Sequence, residues 1–346
     1  MSRDDIQDSF RVQAKACTNL GSPFMGVLLN GLADLWPDCG TLDRICRGFE
    51  GDISAYGHAI ALRAAGGLHA LVLSGRDDAL TAAYPPNPTD PETLISAALA
   101  AFETHAEFFA DWMQSPPQTN EVRRSAVLIA GAHWIAARHP LPFVTSELGA
   151  SGGLNTNWDR YALQAGDVRL GPADPVLTLT PEWAGAAPAP AEIRVTDKAA
   201  VDLRPVDVTD PAQALRMKAY LWPDQPHRME LTEAAIAAID TPIAAGDAAD
   251  WLEDRLARPF PGHIHMICHT IAWQYFPEPV KARVTALIEA AGASATHDAP
   301  VAWLSMEADG TPGSARIGLR LWPGDIDLEL GRADYHGRWI RWHEGA

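Results

Sequence analysis

The stretch Leu141-Pro142-Phe143-Val144-Thr145-Ser146-Glu147-Leu148-Gly149-Ala150-Ser151-Gly152-Gly153-Leu154-Asn155 decides the fold. Its first half is apolar and β-rich and predicts a strand over 141–147. Its second half is a glycine turn, predicted to open a helix from about Leu154 to Leu163. Two chemistries fit the segment. Glu-x-Gly-x-Ser-x-Gly over 147–153 is a nucleotide-binding turn with an acid closing the strand. Gly-x-Ser-x-Gly over 149–153 is the spacing of a hydrolase nucleophile elbow centred on Ser151. A tight turn that binds nothing is the third reading.

The two sides of this segment follow different grammars. Residues 1–140 read as successive helices. In Asp5–Leu20, Ile6, Phe10, Ala14 and Cys17 recur at helical spacing. Ser22-Pro23 is an N-cap followed by a first-turn proline. Further helices are predicted in Ala55–Leu73, Pro91–Met113 and Asn120–Ala137. Beyond 140 strands alternate with helices, as in an α/β sheet. Strands are predicted over 192–203, 241–245, 263–271, 301–307, 315–322, 326–330 and 337–342. Helices are predicted over 211–221, 229–239, 247–256 and 280–291, with a hairpin insertion over 166–183. Strand–helix units come first and an antiparallel hairpin last. That is the layout of a class I methyltransferase sheet, and an all-parallel Rossmann fold would not end this way. The expected fold class is therefore α/β: a Rossmann-like, methyltransferase-type sheet domain over 141–346, preceded by an all-α domain over 1–140 on the lid or substrate side.

Composition narrows the partners. The 346 residues carry a net charge of −17, which argues against non-specific nucleic-acid binding. No apolar run has membrane-spanning length, and the charged start Met1-Ser2-Arg3-Asp4-Asp5 lacks a signal-peptide core. The four cysteines, Cys17, Cys39, Cys46 and Cys268, form no zinc spacing. The expectation is a reduced cytoplasmic protein without metal that acts on a small molecule. Oligomeric state is not encoded in these patterns.

A glycine turn that opens a helix directs backbone N–H groups and the positive end of the helix dipole at a ligand. Glu147 would sit beside that turn. Acidic residues closing the next strands would meet a ribose and an adenine, and Asp202 and Asp247 occupy those positions. An aspartate at such a position also serves as a plain helix cap. In the hydrolase reading Ser151 requires a later acid and a histidine. Asp247 or Asp325 with His269 or His336 can be drawn in those roles, but only helices precede the elbow and no oxyanion segment lies upstream.

Three polar groups stand out elsewhere. Gln118, Asn120, Glu121, Arg123 and Arg124 crowd one helix start, as caps or as a lid that offers amides and guanidinium groups to a substrate. Trp222-Pro223-Asp224-Gln225-Pro226-His227-Arg228 is a rigid loop with an aromatic plate, an acid and an arginine. His265, His269, Gln274 and Tyr275 follow the most apolar strand, where His269 or Tyr275 would act as general base or orient an acceptor. Each histidine has an equally simple reading as a satisfied structural residue. The turn Asp334–Trp339 brings His336 and Gly337 between the last strands.

These residues also resemble a known family. Gln118-Thr119-Asn120-Glu121-Val122-Arg123-Arg124-Ser125, then Glu147–Asn155 with Asp159-Arg160-Tyr161, resemble the uncharacterised bacterial family DUF2332. Trp222-Pro223-Asp224-Gln225 with Arg228, Gln274-Tyr275, Glu307 and His336-Gly337 extend the likeness over almost the whole chain. The resemblance implies a Rossmann-like domain similar to the S-adenosylmethionine-dependent methyltransferases, without an assigned reaction. Ser151 stands where many methyltransferases carry a glycine. The predicted activity is methyl transfer from S-adenosylmethionine to a small acceptor. Its cofactor set is Glu147, Gly149, Ser151, Gly153, Asn155, Asp202 and Asp247. Its catalytic set is His269, Tyr275 and Arg228, and its substrate set is Gln118, Asn120, Glu121, Arg124, Trp222 and Gln274. The alternatives are a binding protein that keeps the sheet without the donor site, marked by a pocket filled with its own side chains, and a serine hydrolase using Ser151.

Overall fold

A computed structural model describes residues 2–343. The chain forms two compact units. One combines the residues up to Thr119 with Val208–Glu230, and the other combines Asn120–Asp207 with the residues from Leu231 onward. Neither boundary lies at residue 140. Two packing requirements move them.

The helical unit contains Arg3–Asn19, Pro23–Asp34, Thr41–Arg47, Ile60–Leu73, Asp78–Ala82, Pro91–Thr104, Ala106–Trp112 and Pro211–Ala219. Ser2 and Asp5 exchange side-chain and backbone bonds in a capping box that starts the first helix. Ile6, Phe10, Ala14 and Cys17 form its buried stripe. Ser22 and Asp90 cap helices whose first turns hold Pro23 and Pro91. The helix expected over Pro91–Met113 breaks at His105, whose ring meets the Asp77 carboxylate at 3.1 Å.

Ile60–Leu73 is buried on nearly every side, and small residues let its neighbours close in. A Cβ at Gly66 would lie 2.6 Å from the Tyr220 ring, and one at Gly67 would lie 2.6 Å from Phe109. Tyr220 and Trp222 thus complete the core of helices that precede them by more than a hundred residues in the chain. Polar contacts fasten the same excursion. Asp224 accepts from Ser22 Oγ at 2.6 Å and from the Phe24 N–H at 3.0 Å, and His69 Nδ1 meets the Ala219 carbonyl at 3.1 Å.

The sheet unit has β1 (Phe143–Leu148), β2 (Ala162–Ala165), β3 (Val168–Leu170), β4 (Thr178–Leu179), β5 (Glu182–Ala184), β6 (Val195–Asp202), β7 (Ile243–Ala245), β8 (Ile264–Thr270), β9 (Val301–Ala308), β10 (Ala315–Trp322), β11 (Ile326–Ala333) and β12 (Trp339–Trp342). The large sheet runs β5-β12-β11-β10-β9-β8-β1-β6-β7. Strands β7, β6, β1, β8 and β9 are mutually parallel. From β9 to β12 the chain turns back as an antiparallel meander, and β5 lies parallel to β12 at the edge. Strands β3, β2 and β4 make a small separate sheet. The fold is mixed α/β, with a large, mostly parallel sheet and an N-terminal helical region.

Every residue of β1 and β8 is buried, as expected for central parallel strands covered on both faces. Helix Ser125–Ala136 belongs with this sheet, since Gly131 brings it within 2.5 Å of Leu304 on β9, measured from a built Cβ. That contact draws residues 120–140 away from the helical unit.

One sequence expectation fails at the centre. No α-helix follows β1. Residues 149–157 form successive turns, then a 3-10 turn at Trp158–Arg160, and then β2. Gly152, Gly153, Asn155, Thr156 and Asn157 are poor helix formers, and the polar ones bond elsewhere. Thr156 Oγ1 donates to the Gly153 carbonyl at 2.6 Å, and Asn157 Nδ2 donates to the Ala238 carbonyl at 3.0 Å. Among the described residues no helix is long and apolar enough to cross a membrane.

Tyr220→Ala should cost about 3–5 kcal/mol, as for a large aromatic lost from a core. The measurement is the urea midpoint with its slope unchanged. A loss under ~1 kcal/mol would mean that Val208–Glu230 is a linker rather than part of the helical core.

Candidate functional site

Side chains alternate along a strand, and parallel partners in register share a face. Glu147 pairs with Cys268 on β8 and with Ala200 on β6. Glu147, Cys268 and Asp202 therefore face one side, toward Ser125–Ala136. Ser146, Ile267 and His269 face the other, toward Ala248–Leu256 and Glu278–Ala293. The predicted site is thereby split into two clusters on opposite faces.

On the first face Glu147 is buried, and its Oε2 has no hydrogen-bond partner. Burial pushes its carboxyl up to about 8, Asp202 adds to the rise, and the Arg124 guanidinium opposes it. Burial thus favours the neutral, protonated form of Glu147 near neutral pH. Arg124 holds the Tyr335 carbonyl at 2.9 Å and the Thr270 carbonyl at 3.3 Å, tying the 3-10 turn Val122–Arg124 to the end of β8. Glu121 starts that turn and accepts from the Arg123 N–H at 3.2 Å and from Arg123 Nε at 3.0 Å. Asn120 is not the expected helix cap, because its Oδ1 accepts the Leu154 N–H at 2.7 Å and so braces the glycine turn. Asn120, Glu121 and Arg124 belong to the sheet unit and Gln118 to the helical unit, so these residues are not one lid carried by the helices.

The glycine turn closes on itself. The N–H groups of Gly149 and Ala150 both donate to the Val201 carbonyl, at 2.9 and 3.1 Å, and that of Gly153 donates to Ala150 at 2.8 Å. Asp202 accepts the Ser151 N–H at 2.8 Å and the Arg204 N–H at 2.8 Å. Gly149, Ser151 and Gly153 have φ of 71°, 54° and 75°, all left-handed. The space a side chain would need is filled by protein: Ala272 lies 2.6 Å from a Cβ at Gly149, and Ile243 lies 2.5 Å from one at Gly153. Ser151 Oγ is buried without a partner. Asn155 Oδ1 accepts Ser125 Oγ–H at 2.6 Å, while its Nδ2 has no partner.

On the opposite face His269 is 2% exposed and both ring nitrogens are engaged. Trp303 Nε1–H donates to Nε2 at 2.9 Å, so Nδ1 carries the proton and donates to Glu307 Oε1 at 2.7 Å. Trp273 stacks on the ring at 4.9 Å, and Glu307 Oε1 also accepts the Ala272 N–H at 3.0 Å. His269 has no lone pair left to act as a base. It orients Glu307, whose Oε2 is buried without a partner. Sequence reading placed Glu307 only in a family pattern. The parity of His269 on β8 with Ser305 and Glu307 on β9 is the signal that pairs them. His265 bonds Ser146 at 2.8 Å, and burial, with Arg255 nearby, pushes it down to about 3.

The remaining predicted residues have the following settings. Tyr275 is 73% exposed and Gln274 is exposed, both on the 3-10 turn Trp273–Tyr275. Trp222 and Arg228 belong to the helical unit, where Arg228 donates to Gln225 at 2.9 Å and lies over the Trp222 ring. Asp247 caps the helix Ala248–Leu256 through the N–H groups of Ala249 and Asp250, at 2.8 and 3.2 Å. In the closing turn Asp334 is the organiser, accepting from the backbone of His336 and Arg338.

The residues as folded do not fit S-adenosylmethionine in the expected way. No α-helix opens at the turn, each Asp202 oxygen already accepts a backbone N–H, and Asp247 caps a helix. A hydrolase triad is not assembled either, since Ser151 Oγ bonds to no histidine. What β1 and the turn after it do hold is a buried carboxyl oxygen, a hydroxyl and an amide donor without partners, with Arg124 close enough to act on the carboxyl.

Between its ordinary value of 4.5 and about 8, folded Glu147 keeps a proton that the unfolded chain has released. Its contribution therefore falls as pH rises through that window, by on the order of 5 kcal/mol in total. Glu147→Gln should flatten this fall. Urea midpoints of both proteins at pH 5 and pH 8 check it, and parallel pH dependences would show that Glu147 ionises normally.

The family model "Uncharacterized protein conserved in bacteria (DUF2332)" matches residues 7–342. No curated protein and no solved structure matches the chain. With nearly its whole length matched, from the first helix to the last strand, the chain belongs to the DUF2332 family.

Proposed function

We propose that this chain is a small-molecule-binding protein whose ligand meets the carboxyl end of β1 on the face of Glu147. The observation that carries this is the trio of buried polar atoms without partners, Glu147 Oε2, Ser151 Oγ and Asn155 Nδ2, within nine residues. Buried polar groups are almost always paired, so three orphans in one turn mark a place built for something else. A protonated carboxyl, a hydroxyl and an amide offer donors, and Arg124 adds positive charge. The complementary ligand is rich in acceptor oxygens, such as a small carboxylate or phosphate. The location agrees with the rule that open α/β sheets bind ligands outside the carboxyl ends of their strands. Glu147, with its carboxyl near 8, is also suited to hold or release a proton near neutral pH.

Acetate and inorganic phosphate are the probes. One of them should raise Tm saturably, and Asn155→Ala with Ser151→Ala should remove the effect. If neither anion shifts Tm, or the double variant responds like the parent, the anion site is excluded.

A methyltransferase-type fold has one observation in its favour. The parallel strands run β7-β6-β1-β8-β9, the 3-2-1-4-5 order of a doubly wound sheet, with the glycine turn on the first. The amides of that turn are already bonded within the chain, which argues against the cofactor there. Calorimetry with S-adenosylhomocysteine should give no saturable heat up to millimolar ligand. Binding that Asp202→Ala weakens would restore the methyl-transfer reading.

A further inference from the structure

A cavity lies in the sheet unit. It encloses about 200 Å³ and is lined by Ile129 and His133 of the helix Ser125–Ala136, by Trp158 and Tyr161, and by the segment that leads into β6. Glu147, Ser151 and Asn155 do not line it.

Its walls include donors that the protein leaves unmet. Trp158 is 2% exposed, and its indole N–H has no acceptor in the protein. At His133 the Ala191 N–H points to Nδ1 at 2.9 Å and the Gly171 N–H points to Nε2 at 3.2 Å. Burial pushes His133 down to about 4, so the ring is neutral at pH 7. A neutral imidazole has one accepting nitrogen and one N–H. In either tautomer one backbone N–H therefore faces another N–H rather than a lone pair. Gly171, Ala191, His133 and Trp158 all border the same space.

Charge and size define what would satisfy them. The acidic lining residues are Asp159, paired with Lys198 Nζ at 2.6 Å, and the exposed Glu192. No lysine or arginine lines the cavity, so an anion gains no counter-charge there. A cavity of ~150 Å³ already admits benzene, and aromatic walls favour a ring. We propose that this cavity binds a small, neutral ring compound whose oxygen accepts a hydrogen bond from Trp158. The proposal is independent of the anion site at Glu147.

The test is a titration of the full ¹⁵N-labelled chain with benzamide, benzoate and toluene. The Trp158 indole signal is identified by its loss in Trp158→Phe. Benzamide should move it downfield saturably, with a millimolar half-point. Toluene lacks the acceptor and should give no downfield shift, and benzoate should bind more weakly. Ala191→Leu, which adds bulk to the lining, should weaken benzamide at least ~10-fold while leaving the other indole signals in place. No saturable movement with benzamide, equal shifts from all three compounds, or unchanged binding in Ala191→Leu would overturn the site. Should Trp158→Phe fail to fold, a benzamide-soaked crystal of the parent replaces the assignment. A ring in the cavity with its carbonyl on Trp158 supports the proposal, and a cavity holding only water defeats it.

Discussion

Strand alternation is the constraint on which the rest of this structure depends. In the parallel centre of the sheet, residues in register share a face and residues one apart do not. Glu147 and Cys268 lie on one side, and Ser146, Ile267 and His269 lie on the other. A linear reading sees Glu147 and His269 as polar residues near strand ends and gathers them into one site. The pleat separates them into an acid next to Arg124 and a histidine locked between Trp303 and Glu307. The first cluster keeps polar atoms without partners. The second is closed around its histidine, with one carboxylate oxygen left over.

The glycine turn shows how one motif serves different purposes. Left-handed glycines permit close approach, but they do not say what approaches. Here Ala272 and Ile243 come close, the turn amides bond to Val201 and Asp202, and Asn120 braces the exit. The acid expected to hold a ribose instead holds the loop. This self-satisfaction follows from what comes next in the chain. A run of Gly, Asn and Thr does not propagate a helix, so the amides that a helix start would leave exposed find local partners.

Much of the architecture was legible because it rests on periodicity. The strands at 315–322 and 264–270, the helix 278–293 and the capped starts at Ser22 and Asp247 follow patterns of a few neighbouring residues. What was illegible depends on contacts distant in sequence. Nothing local around Tyr220 announces that it fills the gap at Gly66, and nothing near Gly131 announces Leu304. The helix expected after Gly153 failed because three side chains found better partners than the helix ladder offers. His269 was placed correctly at its strand end, but its role turns on Trp303 and Glu307, more than thirty residues away. The glycine turn matched two enzyme motifs by spacing alone, and spacing does not report whether amides are already bonded.

The excursion of Val208–Glu230 into the helical unit also constrains how the protein is made. As synthesis proceeds from the N-terminus, the first 119 residues emerge with a gap in their interior at Gly66. Tyr220, which fills it, and Trp222 of the same core follow only after β1 and β6 have been translated. A chain with this threading cannot finish one unit and then begin the other. The early helices stay incomplete, with apolar surface uncovered, while the ribosome delivers the first strands of the sheet, and the two units mature together rather than in turn.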